Sequence, residues 1–192
     1  MPPTAPPPIA RLTHVGWALV IGGLAGLLAF FALRAAWVVP FPFGVENGEG
    51  HVLAWTALLR AGQLPYKPVA PFPWDFAVYT PGYFAATAAL STLLPDPAWL
   101  AGRLISLASA LGAAWLLVRQ MPRHAGWMRW LPAALWLASP YVFRWSTFHR
   151  PDMFALVWSA AGLLLTLHAK TRQRPRWLVA HAGAAHREGG RR

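Results

Sequence analysis

The chain contains no cysteine, so neither a disulfide framework nor a thiolate metal site is available to it. Acids are also scarce: six Asp and Glu stand against seventeen Lys and Arg, and charged residues make up only 12% of the 192 positions. Apolar residues take up the difference. They reach 56% of the chain, with twelve Trp and a mean hydropathy of +0.38. That balance excludes an ordinary soluble domain and indicates a polytopic membrane protein. The net charge of +11 would suit nucleic acid if it covered one face. Instead, residues 170–192 hold seven Lys and Arg and one acid, so six of the eleven excess charges lie in the tail. Such a basic end is the mark of a cytoplasmic tail, and no nucleic acid partner is expected.

Hydropathy and helix signals divide the chain into four spans. Residues 1–11 are Pro-rich and read as a disordered lead. Residues 12–33 carry no Lys, Arg, Asp or Glu, enough for a first crossing over about 12–39, read as an uncleaved anchor rather than a signal peptide. Within it Gly22, Gly23 and Gly26 suit close helix packing. Residues 40–97 hold nine prolines and four of the six acids, a composition that cannot cross a bilayer and is assigned to a long first loop. Two short helices are expected in that loop. One is capped by Asn47 and ended by Gly62; the other starts at Thr80-Pro81 and runs to Leu94, roughly 21 Å and too short to cross. Further spans are expected over about 98–119, 127–145 (kinked by Pro132 and Pro140) and 152–169, followed by a basic tail, 171–192. The expected fold is therefore all-α: four transmembrane helices and two interfacial helices.

Charge fixes the expected orientation. With four crossings, Arg11, the Arg119 to Arg129 loop and the tail share one side, and Glu46, Glu49, Asp75, Asp96 and Asp152 share the other. The positive-inside rule places the basic set and both termini in the cytoplasm and the five carboxylates outside the inner membrane. A carboxylate at a membrane surface costs desolvation energy unless it is solvated or used.

The outer loops gather Glu46, Glu49, Lys67, Asp75 and Tyr79 with Arg144, His149, Arg150 and Asp152, and Arg103 lies one turn inside the second span. Carboxylates suit general-base work on a hydroxyl. Arg and Lys suit a phosphate. Each has a plainer role: Asp152 and Glu49 can favour the start of a helix, Arg103, Arg144 and Arg150 can snorkel, Tyr79 can anchor at the interface, and His149 can be a hydrogen-bonded loop residue. Glu46 or Glu49 with Asp152 would suit a hard divalent ion, but no spacing demands one, and neither metal nor other cofactor is expected.

The order of motifs resembles a known family. A first span is followed by ENGEG…WTALLRAGQLPY, then YTPGYF, AGRLISLASALGAAWLL and FHRPDMFALVWSAAGLLL. Over residues 12–170 this resembles the amino-terminal half of bacterial GT-C glycosyltransferases, akin to protein mannosyltransferases and lipid A aminoarabinose transferases. The resemblance implies transfer of a sugar, with inversion, from a polyprenyl-phosphate lipid donor to an acceptor hydroxyl outside the cytoplasmic membrane. It implies a first-loop base at Glu46 or Glu49, a second acid at Asp152, and phosphate contacts from Arg150, with Arg144, Lys67 and Arg103 in support. Tyr79 and His149 would line the substrate groove. Family members have more spans than the four expected here, which implies a missing carboxy-terminal half or a partner membrane subunit. The alternative is a non-enzymatic membrane accessory or lipid-binding protein derived from such an enzyme, and a small transporter ranks last.

Overall fold

The computed structural model describes residues 8–66, 77–94 and 99–172. Lys67, Asp75 and Asp96, and all of the basic tail beyond Arg172, lie outside the described residues. Among those described, all regular structure is helical: α1 (Pro8–Val38), α2 (Asn47–Arg60), α3 (Pro81–Ser91), α4 (Trp99–Gln120), a 3₁₀ run (Arg123–Trp130), α5 (Leu131–Ala138), α6 (Pro140–Trp145) and α7 (Asp152–Arg172). Two helices, Val15–Val38 and Trp99–Gln120, are long and apolar enough to cross a membrane. The apolar part of α7, Asp152–His168, is shorter.

Several boundaries differ from the sequence expectation, each for a local reason. Helix α1 already begins at Pro8, inside the expected lead, since proline is tolerated in a first turn. Among the described residues Gly22, Gly23 and Gly26 face no packed neighbour: a Cβ at any of them would meet nothing within 4 Å. The expected span at 127–145 is two pieces, because Pro140 forces Ser139 into an extended conformation with ψ of 138°. The Ser139 hydroxyl then accepts from the Val142 amide and starts α6 afresh. Helix α2 is capped not by Asn47 but by Glu46, in a reciprocal box: the Glu46 carboxylate accepts from the Gly48 amide, and Glu49 reaches back to the Glu46 amide. Its other end follows the expectation. Gly62, at φ 74°, lets its own amide bond Leu59 O and the Gln63 amide bond Leu58 O, a Schellman stop.

Packing is concentrated at one end. Helices α2 and α3 bury Val52, Trp55, Tyr83 and Phe84 against one another, with Ile105 of α4 and Phe154 of α7 closing the cluster. Helix α4 presents small residues, Ala110, Ala113 and Ala114, to α5 and α6, and Trp136 Nε1 donates to Ala110 O at 3.0 Å. Helix α1 meets the 3₁₀ run through Trp17 on Trp127 and α6 through Phe30 stacked on Phe143, and an apolar groove of about 180 Å³ is lined by Leu24, Leu28, Trp130 and Ala134. Only 6% of the most apolar stretch of α1 is buried, against 50% for α4, so lipid or another apolar partner has to cover it. Contacts divide the chain after Val157, and α7 continues beyond that point as a separate unit with Leu163, Leu165 and Leu167 exposed.

A buried ion pair ties the end of α1 to α2 and α4. Arg103 and Glu49 are both 0% exposed and pair as two forks, Nε to Oε1 and Nη2 to Oε2, each at 2.9 Å. The remaining Arg103 N–H groups donate to Val38 O at 2.8 Å, Phe41 O at 2.6 Å and Phe43 O at 2.8 Å. These carbonyls lie at the last residue of α1 and in the turn just beyond it; Val38 O also accepts from the Phe41 amide at 3.2 Å. All five guanidinium donors are thus engaged. Removing either partner strands a buried charge, which costs about 3–5 kcal/mol. Arg103→Gln and Glu49→Gln are each expected to lower the unfolding temperature in detergent by many degrees. An unfolding temperature within one or two degrees of wild type for both would show that the pair does not hold this end together.

Candidate functional site

The ends of α1, α2, α4 and the α6–α7 turn converge around Glu49, and the sequence-predicted residues sort into two layers there. The lower layer is sealed. Besides Arg103, Glu49 accepts from the amides of Val45 at 2.8 Å, Glu46 at 3.3 Å and His149 at 2.7 Å. Five donors exceed what a carboxylate's lone pairs readily take, so Glu49 is in no position to accept a substrate proton. Burial alone would raise its pKa, but the Arg103 guanidinium and the His149 and Val45 amides more than offset that and hold it below the ordinary carboxylate range. Two of the expected roles change accordingly. Glu49 is a strut rather than a candidate base, and Arg103 has no N–H left for a phosphate.

His149 belongs to this sealed layer as well. It was expected to line a groove, yet it is 0% exposed, with its ring between Trp99 and Tyr83 at centroid distances of 6.2 and 5.7 Å. Neither ring nitrogen has a hydrogen-bond partner. Gly102 makes the space: a Cβ there would fall 1.9 Å from the imidazole. The turn carrying His149 is fixed from α4, since Ser106 Oγ donates to Arg150 O at 2.8 Å and shares a 3.2 Å contact with the Tyr83 hydroxyl.

The upper layer is half-open and centres on Arg150. Its Nη1 lies 3.3 Å from Glu46 Oε2, its Nε 3.5 Å from Asp152 Oδ2, and its Nη2 donates to the Tyr79 hydroxyl at 3.1 Å. The rings of Tyr79 and Trp145 wall the guanidinium at 5.8 and 5.0 Å. Side chains of Glu46, Arg150 and Asp152 are 20%, 16% and 24% exposed, enough for a ligand to reach. The layer is not saturated. Arg150 Nε and Asp152 Oδ2 are an ion pair too long for a hydrogen bond, and Glu46 Oε1 has no partner among the described residues. Tyr141, which sequence reasoning passed over, approaches Asp152 Oδ1 with its hydroxyl at 3.4 Å.

Of the expected site residues, the structure brings together Glu46, Asp152, Arg150 and Tyr79, buries Glu49, Arg103 and His149 beneath them, and places Arg144 apart, over Trp145. Lys67 lies outside the described residues. Among the described residues, no three His, Cys, Asp or Glu side chains are grouped to hold a metal ion. No protein-family model matches the chain, and no curated protein or solved structure matches it either.

Two outcomes follow. Gly48 leaves room for the Arg150 head, because a Cβ there would sit 1.7 Å from Nη1. Gly48→Ala therefore displaces a flexible guanidinium while retaining the fold. It is expected to leave the unfolding temperature within about 3 °C of wild type, whereas Gly102→Ala, which meets a buried ring, lowers it clearly. Equal losses in a melting comparison would contradict this. Burial pushes the His149 imidazole down to about 4, with Glu49 opposing the shift and Arg103 adding to it. The folded state thus binds this proton less readily than the unfolded chain, and acid favours unfolding. The stability present above pH 6.5 is lost as pH falls from 6.5 towards 4, by about 3 kcal/mol in all. Melting curves between pH 7 and 4.5 should show this slope in wild type and not in His149→Phe; matching slopes would exclude His149 as its source.

Proposed function

We propose that the chain is a membrane transferase of the GT-C type. It moves a sugar from a polyprenyl phosphate to an acceptor hydroxyl on the outer side of the inner membrane. The observation that carries this reading is the convergence of Glu46 and Asp152, from distant parts of the chain, on one partly exposed guanidinium. In the proposed topology α1, α4, the α5–α6 pair and α7 each cross once, with α2 and α3 at the outer interface and both termini in the cytoplasm. The positive-inside rule supports that direction: Arg119, Arg123 and Arg129 lie at the end of α4 away from the carboxylates.

In this reading Glu46 is the general base. Its free Oε1 takes the proton of the acceptor hydroxyl as that oxygen attacks the anomeric carbon. The bond from the anomeric carbon to the phosphate oxygen breaks, the electron pair leaves with polyprenyl phosphate, and the sugar inverts. Arg150 neutralises charge between the two acids, and Asp152, held by Tyr141, orients it. Capping holds Glu46 in place for this work: the Gly48 amide fixes Oε2 and leaves Oε1 open.

The test uses membranes containing the full chain, incubated with polyprenyl-phosphate hexoses and pentoses, with release of polyprenyl phosphate as the readout. Glu46→Gln is expected to lower release by roughly 10²–10⁴-fold with membrane insertion unchanged. Unchanged release in that variant would remove Glu46 as the base. No release from wild type with any of the sugars would remove the transferase reading.

A further inference from the structure

The turn that joins α1 to α2 carries more aromatic surface than its packing uses. From Ala35 to Val45 there is no charged residue. Trp37 is 79% exposed, Phe43 67% and Phe41 45%, while Val39 among them is buried. These rings cannot simply fold inward, because the backbone that carries them is held. Arg103 takes the Val38, Phe41 and Phe43 carbonyls. The Val39 amide donates to Ala35 O at 3.0 Å, the Phe41 amide to Val38 O at 3.2 Å and the Val45 amide to Glu49 Oε2 at 2.8 Å. Pro40 and Pro42 have no N–H to satisfy. A Cβ at Gly44 would come 3.2 Å from the Trp99 ring, so the turn is also seated against the head of α4. The Phe41 and Phe43 rings meet edge to face, with centroids 5.7 Å apart.

A fixed, uncharged aromatic turn is costly in water and favourable where apolar and hydrated surroundings meet. Two observations specify what covers it. The exposed rings continue the surface of Val15–Val38, a helix long and apolar enough to cross a membrane, of whose most apolar stretch only 6% is buried. In addition, several backbone groups that lipid would leave unpaired are already answered within the fold or are absent at the prolines. We infer that Trp37, Phe41 and Phe43 form an aromatic hook that inserts into the lipid headgroup layer on the side of the candidate site. The Pro40 and Pro42 carbonyls are not among those Arg103 takes, and they keep the hook at that level, where water reaches them, rather than in the hydrocarbon. The inference rests on α1 crossing the membrane, as in the proposed topology, and adds a bilayer contact made by the turn beyond it. It also bears on the site, because Glu46 follows Phe43 by three residues and its α-carbon stays within about 10 Å of the hook.

Depth-dependent quenching tests the hook separately from transfer. The full chain is reconstituted in phosphatidylcholine vesicles with one bimane-labelled cysteine at a time: Phe43→Cys in the hook, Gln63→Cys just after α2, and Leu27→Cys at an exposed position within α1. Quenchers are iodide on both sides of the vesicle, phosphatidylcholine with a nitroxide on its headgroup, and phosphatidylcholine with a nitroxide at mid-chain. Phe43→Cys is expected to be quenched by the headgroup nitroxide about threefold more than Gln63→Cys, and by iodide about threefold less. Leu27→Cys should respond most to the mid-chain nitroxide and little to iodide. No lipid quenching at Leu27→Cys would overturn the span and the hook together. Lipid quenching at Leu27→Cys with iodide quenching at Phe43→Cys equal to that at Gln63→Cys would overturn the hook and leave the span standing. Protection of Phe43→Cys from all three quenchers would assign the turn to contact with a second copy of the chain, and would overturn the lipid assignment too. If circular dichroism shows Phe43→Cys to be unfolded, Phe41→Cys decides, with the same outcomes expected.

Discussion

The pairing of Glu49 with Arg103 is the constraint on which the rest of this structure depends. One guanidinium gathers three carbonyls at and just beyond the end of α1, and one carboxylate gathers the amides that begin α2 and the turn before α7. Four chain segments are fixed by two side chains, both wholly buried. Such a pair adds little net stability compared with apolar packing, but it tolerates no loss of either partner. Its effect is on geometry. With Glu49 drawn down to Arg103, the neighbouring Glu46 is turned outward as the cap of α2, within reach of Arg150. Two glutamates three residues apart thus acquire opposite roles, one a strut and the other a partly exposed acid.

Glycines and small residues make this arrangement possible. Gly102 admits the His149 ring beside Arg103, and Gly48 admits the Arg150 head beside Glu46. Ser106, one turn beyond Arg103 on the same face of α4, holds the Arg150 carbonyl. In the sealed layer the Glu49 and Arg103 head groups are fully matched, while the His149 ring nitrogens are not. The upper layer keeps an unpaired Glu46 oxygen and a long Arg150–Asp152 approach, which leaves it capacity to bind. A site with a rigid floor and an unsaturated rim is what positioning of a reacting group requires.

Much of the architecture was legible in the sequence. Long apolar runs marked α1 and α4, Thr80-Pro81 marked the start of α3, and Gly62 marked the end of α2. The third apolar segment was read as kinked, but its complete break at Ser139 depends on the hydroxyl cap that restarts the helix. The candidate site was legible as a set of residue types and not as a set of roles. Nothing local separates Glu46 from Glu49; the difference is made by Arg103 and Arg150, far away along the chain. An arginine one turn inside an apolar helix reads as a snorkeller until the three carbonyls it meets are known. The signal available was on α4 itself, where Gly102, Arg103 and Ser106 form a small and polar patch at the head of a long apolar helix.

The functional account requires that this end of the bundle face away from the cytoplasm. Because the chain has no cysteine, single cysteines can report that without background. Gln63→Cys lies just after α2 and His124→Cys lies in the turn after α4, both at exposed positions. In intact cells a membrane-impermeant maleimide should label Gln63→Cys at once and His124→Cys only after permeabilisation. Labelling of both before permeabilisation, or the reverse order, would contradict the account.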